Sequence, residues 1–284
     1  MQQKGLIIMK YALFGGDDRI VILRRLLIAD GHDVKCFALE KAITGEASAE
    51  NAAAGADCVI LPLPCERDGF LNAPYCENKY YICDLLDTIS PGTIVCAGKA
   101  SCLEAECEKR SLLLQDYFAR EDFAVLNADL TAEGTTQLIM RNSKSALRGK
   151  SILICGFGRI GKLLALKLLA FGAKITVAAR SSGQLAWAKC IGCETRDLSP
   201  CKGERFDFVV NTIPHPLFGA DFLSELRGAT LIELASAPHG FSQEEASALK
   251  LELILALGLP SVCTPISAGG IIRDIIYGIM EELK

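Results

Sequence analysis

Short apolar runs alternate along this chain with longer segments of helical spacing. In the first half, runs at 9–14, 33–39, 57–61, 93–97 and 123–126 read as buried strands. Segments at 17–30, 78–88 and 101–116 instead repeat their apolar residues three and four apart, which predicts helices. A strand covered on both faces is apolar nearly throughout, so this alternation predicts a parallel sheet with crossover helices. A further helical stretch at 129–146, carried by Leu138, Ile139 and Met140, is expected to stop at Gly149. The pattern then restarts. Strands are predicted at 151–155, 174–179, 207–211, 229–234 and 252–256, and helices at 159–171, 182–191, 218–226, 241–249 and 266–283. The fold class is therefore α/β with two domains. An N-terminal α/β domain with a parallel sheet covers 1–128 and a linking helix covers 129–148; the C-terminal α/β domain, 149–284, opens with a G-x-G-x-x-G at 156–161 and is therefore expected to be a Rossmann NAD(P)-binding domain. The last helix is expected to pack on the first domain.

Composition narrows the class. Half of the 284 residues are hydrophobic, enough for a substantial core, and no long basic run accompanies the net charge of −4, which argues against nucleic acid as a partner. No uninterrupted apolar run approaches the ~18 residues that a membrane-spanning helix needs. The opening stretch is broken by Lys10 and has no small-residue cleavage site, so it reads as a first strand rather than a signal peptide, with Met9 a second candidate for the start. A cytoplasmic location is the resulting expectation. There the thirteen cysteines behave as small apolar residues; Cys36, Cys96 and Cys155 all sit in apolar runs. Cys190 and Cys193 form a C-x-x-C with Cys201 nearby, but no fourth ligand follows at zinc spacing, so no metal is expected.

The most informative local motif is the G-x-G-x-x-G formed by Gly156, Phe157, Gly158, Arg159, Ile160 and Gly161. It follows the apolar run 151–155 directly and opens an apolar helix closed by Gly172. In that context Gly156 permits the tight turn, Gly158 lets backbone approach a pyrophosphate, and Gly161 lets helix and strand pack closely. The helix N-terminus adds free N–H groups and the positive end of its dipole. The next strand bears on the choice of cofactor. NAD sites usually end it with a carboxylate for the ribose 2′-hydroxyl. Here Arg180, Ser181 and Ser182 follow it, so a guanidinium and two hydroxyls are offered to a 2′-phosphate, and NADP is expected over NAD.

The nicotinamide ring belongs beyond the C-terminal strand ends. Asn211 and Thr212 are candidates to hold its riboside, and His215 or His239 to act as general acid or base. Ser236 and Ser267 are further polar candidates for a substrate. The expected helix start near 131 would present Thr131, Thr135 and Thr136 to a carboxylate; Glu133 there either takes part in proton transfer or simply favours the helix dipole.

The segment 147–175 is similar to the cofactor segment of D-2-hydroxyacid dehydrogenases. The arginine of that family's catalytic set would follow the strand ending at Ala235, and residues 235–240 contain none, so that likeness stops at the cofactor fold. Over nearly its full length the chain resembles the dipicolinate synthase A-subunit family. The likeness is carried by "LFGGDDRIVILRRL" (13–26), "TAEGTTQLIM" (131–140), "VVNTIP" (209–214), "LIELASAPHG" (231–240) and "GLPSVCTPISAGGI" (258–271), in order around the glycine loop. The resemblance implies a sporulation dehydrogenase that oxidises a hydroxylated tetrahydrodipicolinate, a cyclic dicarboxylate, to dipicolinate. NADP would be the acceptor and a flavoprotein-like B subunit the partner. A homodimer is the base-rate expectation for its assembly. The departures fall on cations. Ile266 and Ser267 stand where the family has Lys and Thr, and Ala237 and His239 where it has Lys and Gly. Arg19 and the hydroxyls of Thr135 and Thr136 are the replacements the sequence offers. An NADP-dependent oxidoreductase of another small acid, or an NADP-binding subunit without chemistry, are the competing readings.

Overall fold

The computed structural model describes residues 8–283, which form two compact units. One takes in the described chain up to Asn127 together with Thr264 onward, and the other is Ala128–Cys263.

In the first unit the order is β1 (Lys10–Phe14), α1 (Asp18–Ala29), β2 (Asp33–Phe37), α2 (Ala49–Ala53), β3 (Cys58–Ile60), β4 (Glu66–Arg67), β5 (Phe70–Leu71), α3 (Ile82–Leu86), β6 (Ile94–Ala97), α4 (Glu104–Lys109) and β7 (Leu113–Asp116). Five strands pair in parallel in the order β2-β1-β3-β6-β7, while β4 and β5 form a small hairpin. Alternate residues of β1 serve opposite faces, as strand geometry requires. Ala12 and Phe14 join a core with Val59 and Val95, and Tyr11 and Leu13 join another with Leu23, Leu27, Ile272 and Ile276. The last two lie on α11 (Pro265–Glu282), which returns to this unit and covers α1. Gly269 makes that approach possible, since a Cβ there would stand 2.7 Å from Ile22 Cγ2 and 2.9 Å from the Arg19 carbonyl oxygen.

The second unit holds most of α5 (Glu121–Ser143), then β8 (Ser151–Cys155), α6 (Arg159–Ala170), β9 (Lys174–Ala178), α7 (Ser182–Cys190), β10 (Glu194–Arg196), β11 (Phe208–Asn211), α8 (Ala220–Ser224), β12 (Thr230–Glu233), α9 (Gln243–Ala248), β13 (Glu252–Leu255) and α10 (Leu259–Cys263). Its six parallel strands run β10-β9-β8-β11-β12-β13, the order of a Rossmann sheet. Among the described residues no helix is long and apolar enough to cross a membrane. Nine of the thirteen cysteines are buried, and burial pushes the Cys36, Cys193 and Cys201 thiols up to about 11.

Three local expectations fail. Residues 123–126 are not a strand, because α5 begins at Glu121, where two acidic residues favour the dipole of its first turn. The tail of the segment 101–116 is not helical, since Ser111 turns the chain at φ 55° and Leu113–Asp116 pairs with β6. The helix stop is Lys144, at φ 50°, rather than Gly149.

Candidate active site

The glycine loop occupies the switch point of the second unit, between β8 and β11. The Gly156 N–H donates to the Ala178 carbonyl at 2.8 Å, tying the loop to the end of β9. Its φ of 94° lies in the left-handed region, and a Cβ there would strike Thr212 Oγ1. A Cβ on Gly161 would strike the Gly156 carbonyl oxygen, so α6 and the loop touch backbone to backbone. Gly158 caps α6 and differs from both, since a Cβ on it would meet nothing within 4 Å. The α6 ladder begins with the Lys162 N–H, which donates back to the Gly158 carbonyl, so the Ile160 and Gly161 N–H groups have no acceptor inside the helix. An open face over Gly158, beside outward N–H groups at the start of a 12-residue helix, fits a dinucleotide pyrophosphate. The residues present therefore fit a nicotinamide dinucleotide.

Beyond β9, Ala179 is buried and Arg180, Ser181 and Ser182 are exposed. Ser181 Oγ accepts the Gln184 N–H and starts α7. Arg180 has no ion-pair partner among the described residues, and no carboxylate follows β9. Arg196 on the neighbouring strand is committed to Glu204 at 2.5 Å.

The next two strand ends are joined by a pair that sequence reading missed. Asn211 and Glu233 are both fully buried, and Asn211 Nδ2 donates to Glu233 Oε1 at 2.7 Å. Glu233 also accepts the N–H groups of Ala235 (2.9 Å), Gly240 (2.9 Å) and Phe241 (3.0 Å). Asn211 closes its own turn, accepting Ile213 N–H and donating to the Ile213 carbonyl, each at 3.0 Å. Its amide is thus spent on protein groups and positions the loop 234–241 instead of reaching for the riboside. The signal was a lone carboxylate at the end of an otherwise apolar strand. Thr212 is half-buried, and its hydroxyl donates to the Cys155 carbonyl at 2.9 Å.

The loop held by Glu233 carries Ser236, which is exposed, and His239. His239 sits at φ 51°, and its Nδ1 lies 2.8 Å from the Ala235 carbonyl oxygen. A carbonyl only accepts, so Nδ1 carries the proton and Nε2 is left as the basic nitrogen. His215 is exposed, with no side-chain hydrogen bond among the described residues. The structure thus gathers the glycine loop, Thr212, Ser236 and His239 at one end of this sheet.

The other predicted seat has a different form. Thr131, Thr135 and Thr136 lie inside α5 and are buried, while Glu133 is exposed. Their N–H groups do not start a helix, and the Thr135 and Thr136 hydroxyls donate to the Thr131 and Ala132 carbonyls at 2.7 and 2.8 Å. Gly134, read as part of a helix start, is a packing glycine; a Cβ there would stand 3.0 Å from Leu259 Cβ. Ser267 and Ile266 are exposed in the first turn of α11, and Arg19 is buried against Asp17 at 2.8 Å.

Known proteins share this fold. Residues 10–118 match the N-terminal domain of the dipicolinate synthase A subunit, and residues 119–254 match the NAD binding domain of D-isomer specific 2-hydroxyacid dehydrogenases. The chain is 28% identical to the A subunit of dipicolinate synthase from Bacillus subtilis (strain 168), with 97% of each sequence covered. It is similar to the crystal structure of the dipicolinate synthase A subunit from Bacillus halodurans, with a TM-score of 0.85, 25% identity and coverage of 97% of this chain and 99% of that one. The crystal structure of the corresponding protein from Bacillus subtilis gives a TM-score of 0.83 at 26% identity, over 98% and 97% of the two chains. D-lactate dehydrogenase of Escherichia coli, 14% identical with a TM-score of 0.61 over 96% of each chain, shares the fold. A dinucleotide unit of dehydrogenase type, joined to a domain that matches the N-terminal domain of the dipicolinate synthase A subunit, makes this chain a nicotinamide-dependent oxidoreductase that is similar over nearly its whole length to that subunit.

Proposed function

We propose that the chain oxidises a hydroxylated tetrahydrodipicolinate to dipicolinate with NADP as acceptor, as part of sporulation, beside a flavoprotein-like B subunit. The reading is carried by similarity to the A subunit of dipicolinate synthase over 97% of the chain. The preference for NADP rests on Arg180, an exposed cation followed by two serines where an NAD site would carry a carboxylate.

The reaction removes a hydride, a proton and the elements of water from the ring, and aromatisation drives it. When bound, the nicotinamide supplies the hydride acceptor. The chain's own residues do the rest. The turn at Gly156, Gly158 and Gly161, with the first N–H groups of α6, seats the pyrophosphate, and Arg180, Ser181 and Ser182 take the 2′-phosphate. His239 is the favoured proton acceptor through Nε2, because Ala235 fixes the proton on Nδ1. Glu233, through the N–H groups of Gly240 and Phe241, holds the loop that carries His239. Ser236 is the neighbouring polar group for the substrate.

The test is turnover of the hydroxylated tetrahydrodipicolinate by the purified chain, with and without the B subunit, followed by NADPH absorbance and by dipicolinate formation. Both signals should rise together, faster with NADP than with NAD. Tight NADP binding with no dipicolinate under either condition would overturn the substrate assignment.

A further inference from the structure

Among the described residues, seven other than glycine have positive φ: Ala38, Asp68, Lys99, Ser111, Lys144, His239 and Lys250. Ser111, Lys144 and Lys250 stop helices, where the left-handed conformation is ordinary, and Asp68 turns the β4–β5 hairpin. Lys99 has no such reason. It lies two residues beyond the end of β6, at the C-terminal end of the first unit's parallel sheet, with φ 58°. A lysine gains nothing from that conformation, which glycine would adopt without strain.

The surroundings hold this backbone on both sides. The Lys99 N–H donates to Asp116 Oδ1 at 3.2 Å, and Asp116 also takes the N–H groups of Ala100, Phe118 and Ala119. The Lys99 carbonyl accepts the thiols of Cys65 (3.5 Å) and Cys102 (3.9 Å). Before it, Gly98 admits no side chain, because a Cβ there would stand 2.7 Å from Leu63 Cβ. The ammonium group is exposed and lies 5.3 Å from the centre of the Phe118 ring, a contact that orients a cation without neutralising it. It has no ion-pair partner among the described residues. The nearby cation, Arg19, is spent: it pairs with Asp17 and donates to the carbonyl of Leu63, the residue against which Gly98 packs.

We propose that Lys99 is the cation with which the first unit takes a carboxylate of the substrate. The inference rests on the proposed function, in which the substrate is a cyclic dicarboxylate. Such a substrate carries two negative charges, and Arg19 is already paired with Asp17. Lys99 provides an unpaired ammonium on a fixed backbone at the ligand-binding end of a parallel sheet.

The test is calorimetric titration of the full chain with pyridine-2,6-dicarboxylate, and separately with a simple 2-hydroxymonocarboxylate, in the wild type and in Lys99→Gly, Lys99→Arg and Lys109→Gln. Glycine removes the ammonium and suits the backbone, so Lys99→Gly should melt no lower than the wild type. It should nevertheless bind the dicarboxylate at least tenfold more weakly, with NADP affinity unchanged. Lys99→Arg should stay within a few-fold of the wild type, and Lys109→Gln should match it. Wild-type binding of the dicarboxylate that survives unchanged in Lys99→Gly overturns the role of Lys99 and leaves the proposed substrate standing. Lys99-dependent binding of the monocarboxylate alone supports the cation and overturns the dicarboxylate. Binding of neither acid by the wild type overturns both.

Discussion

Asn211 Nδ2 donates to Glu233 Oε1 at 2.7 Å, joining the ends of two neighbouring strands across 22 residues of sequence. The carboxylate of Glu233, fully buried, takes three further donors, all backbone N–H groups of the loop that follows β12. Truncation to alanine would strand those donors in the interior, at a cost of about 1–3 kcal/mol for each donor left unsatisfied. Glu233→Gln keeps the shape but turns an amide NH2 toward N–H donors, which should cost ~1.5–3 kcal/mol. Urea unfolding of both variants checks the order. Equal, near-zero losses would mean that the pair does not hold the loop.

The glycines of the cofactor loop should separate by phenotype. A Cβ on Gly161 would strike the Gly156 carbonyl oxygen, so Gly161→Ala must push α6 away from β8, with a loss of about 1–3 kcal/mol. Gly158→Ala meets nothing within 4 Å and should leave the melting temperature nearly unchanged. Its methyl group would stand where the pyrophosphate approaches, so NADP affinity should fall by roughly tenfold or more. Thermal melting and a fluorescence titration of each variant separate the two effects.

The sheets and the glycine loop were legible because buried parallel strands are apolar throughout and a βα turn of this kind keeps its residues contiguous. What failed was local and ambiguous. "DFAVL" fits a strand or a helix equally well, and only the acidic first turn of α5 separates them. Gly134 reads as a boundary in one dimension, whereas in the structure it makes room for Leu259 and Cys263. The Asn211–Glu233 pair and the Asp116 latch under Lys99 join residues 22 and 17 apart, and no periodicity encodes such contacts. The conformation of Lys99 was invisible for the same reason, being imposed by partners distant in sequence.

Arg120 joins the first residues of α5 to the end of α11, donating to Asp122 at 3.0 Å and to Glu282 at 2.7 and 2.9 Å. The guanidinium holds both carboxyls below their usual range. For carboxyls depressed in the folded state, the stabilisation is fully present above their unfolded values of about 3.9 and 4.3. It is lost as pH falls through the lower folded values. Arg120→Ala should therefore be less stable than the wild type near neutrality, and the gap should close below about pH 4. Both partners are largely solvated, so the gap will be small. Denaturant midpoints across an acid series test this, and a gap that widened on acidification would contradict the assignment.

The proposed preference for NADP turns on Arg180. It is exposed and unpaired among the described residues, it precedes Ser181 at the start of α7, and no carboxylate shares its strand end. A 2′-phosphate would gain a charge-assisted bond from its guanidinium, while a 2′-hydroxyl would gain little. Arg180→Ala should weaken NADP by about 10–100-fold, the equivalent of losing one charged hydrogen bond, and change NAD by less than about twofold. An acidic replacement goes further. Arg180→Asp supplies the acceptor that an NAD ribose uses and repels a phosphate, so the ratio of the two affinities should invert. Titrations with both cofactors against the wild type and the two variants measure that ratio directly. Parallel losses for NADP and NAD would assign Arg180 a role common to both dinucleotides and remove the basis for preferring NADP.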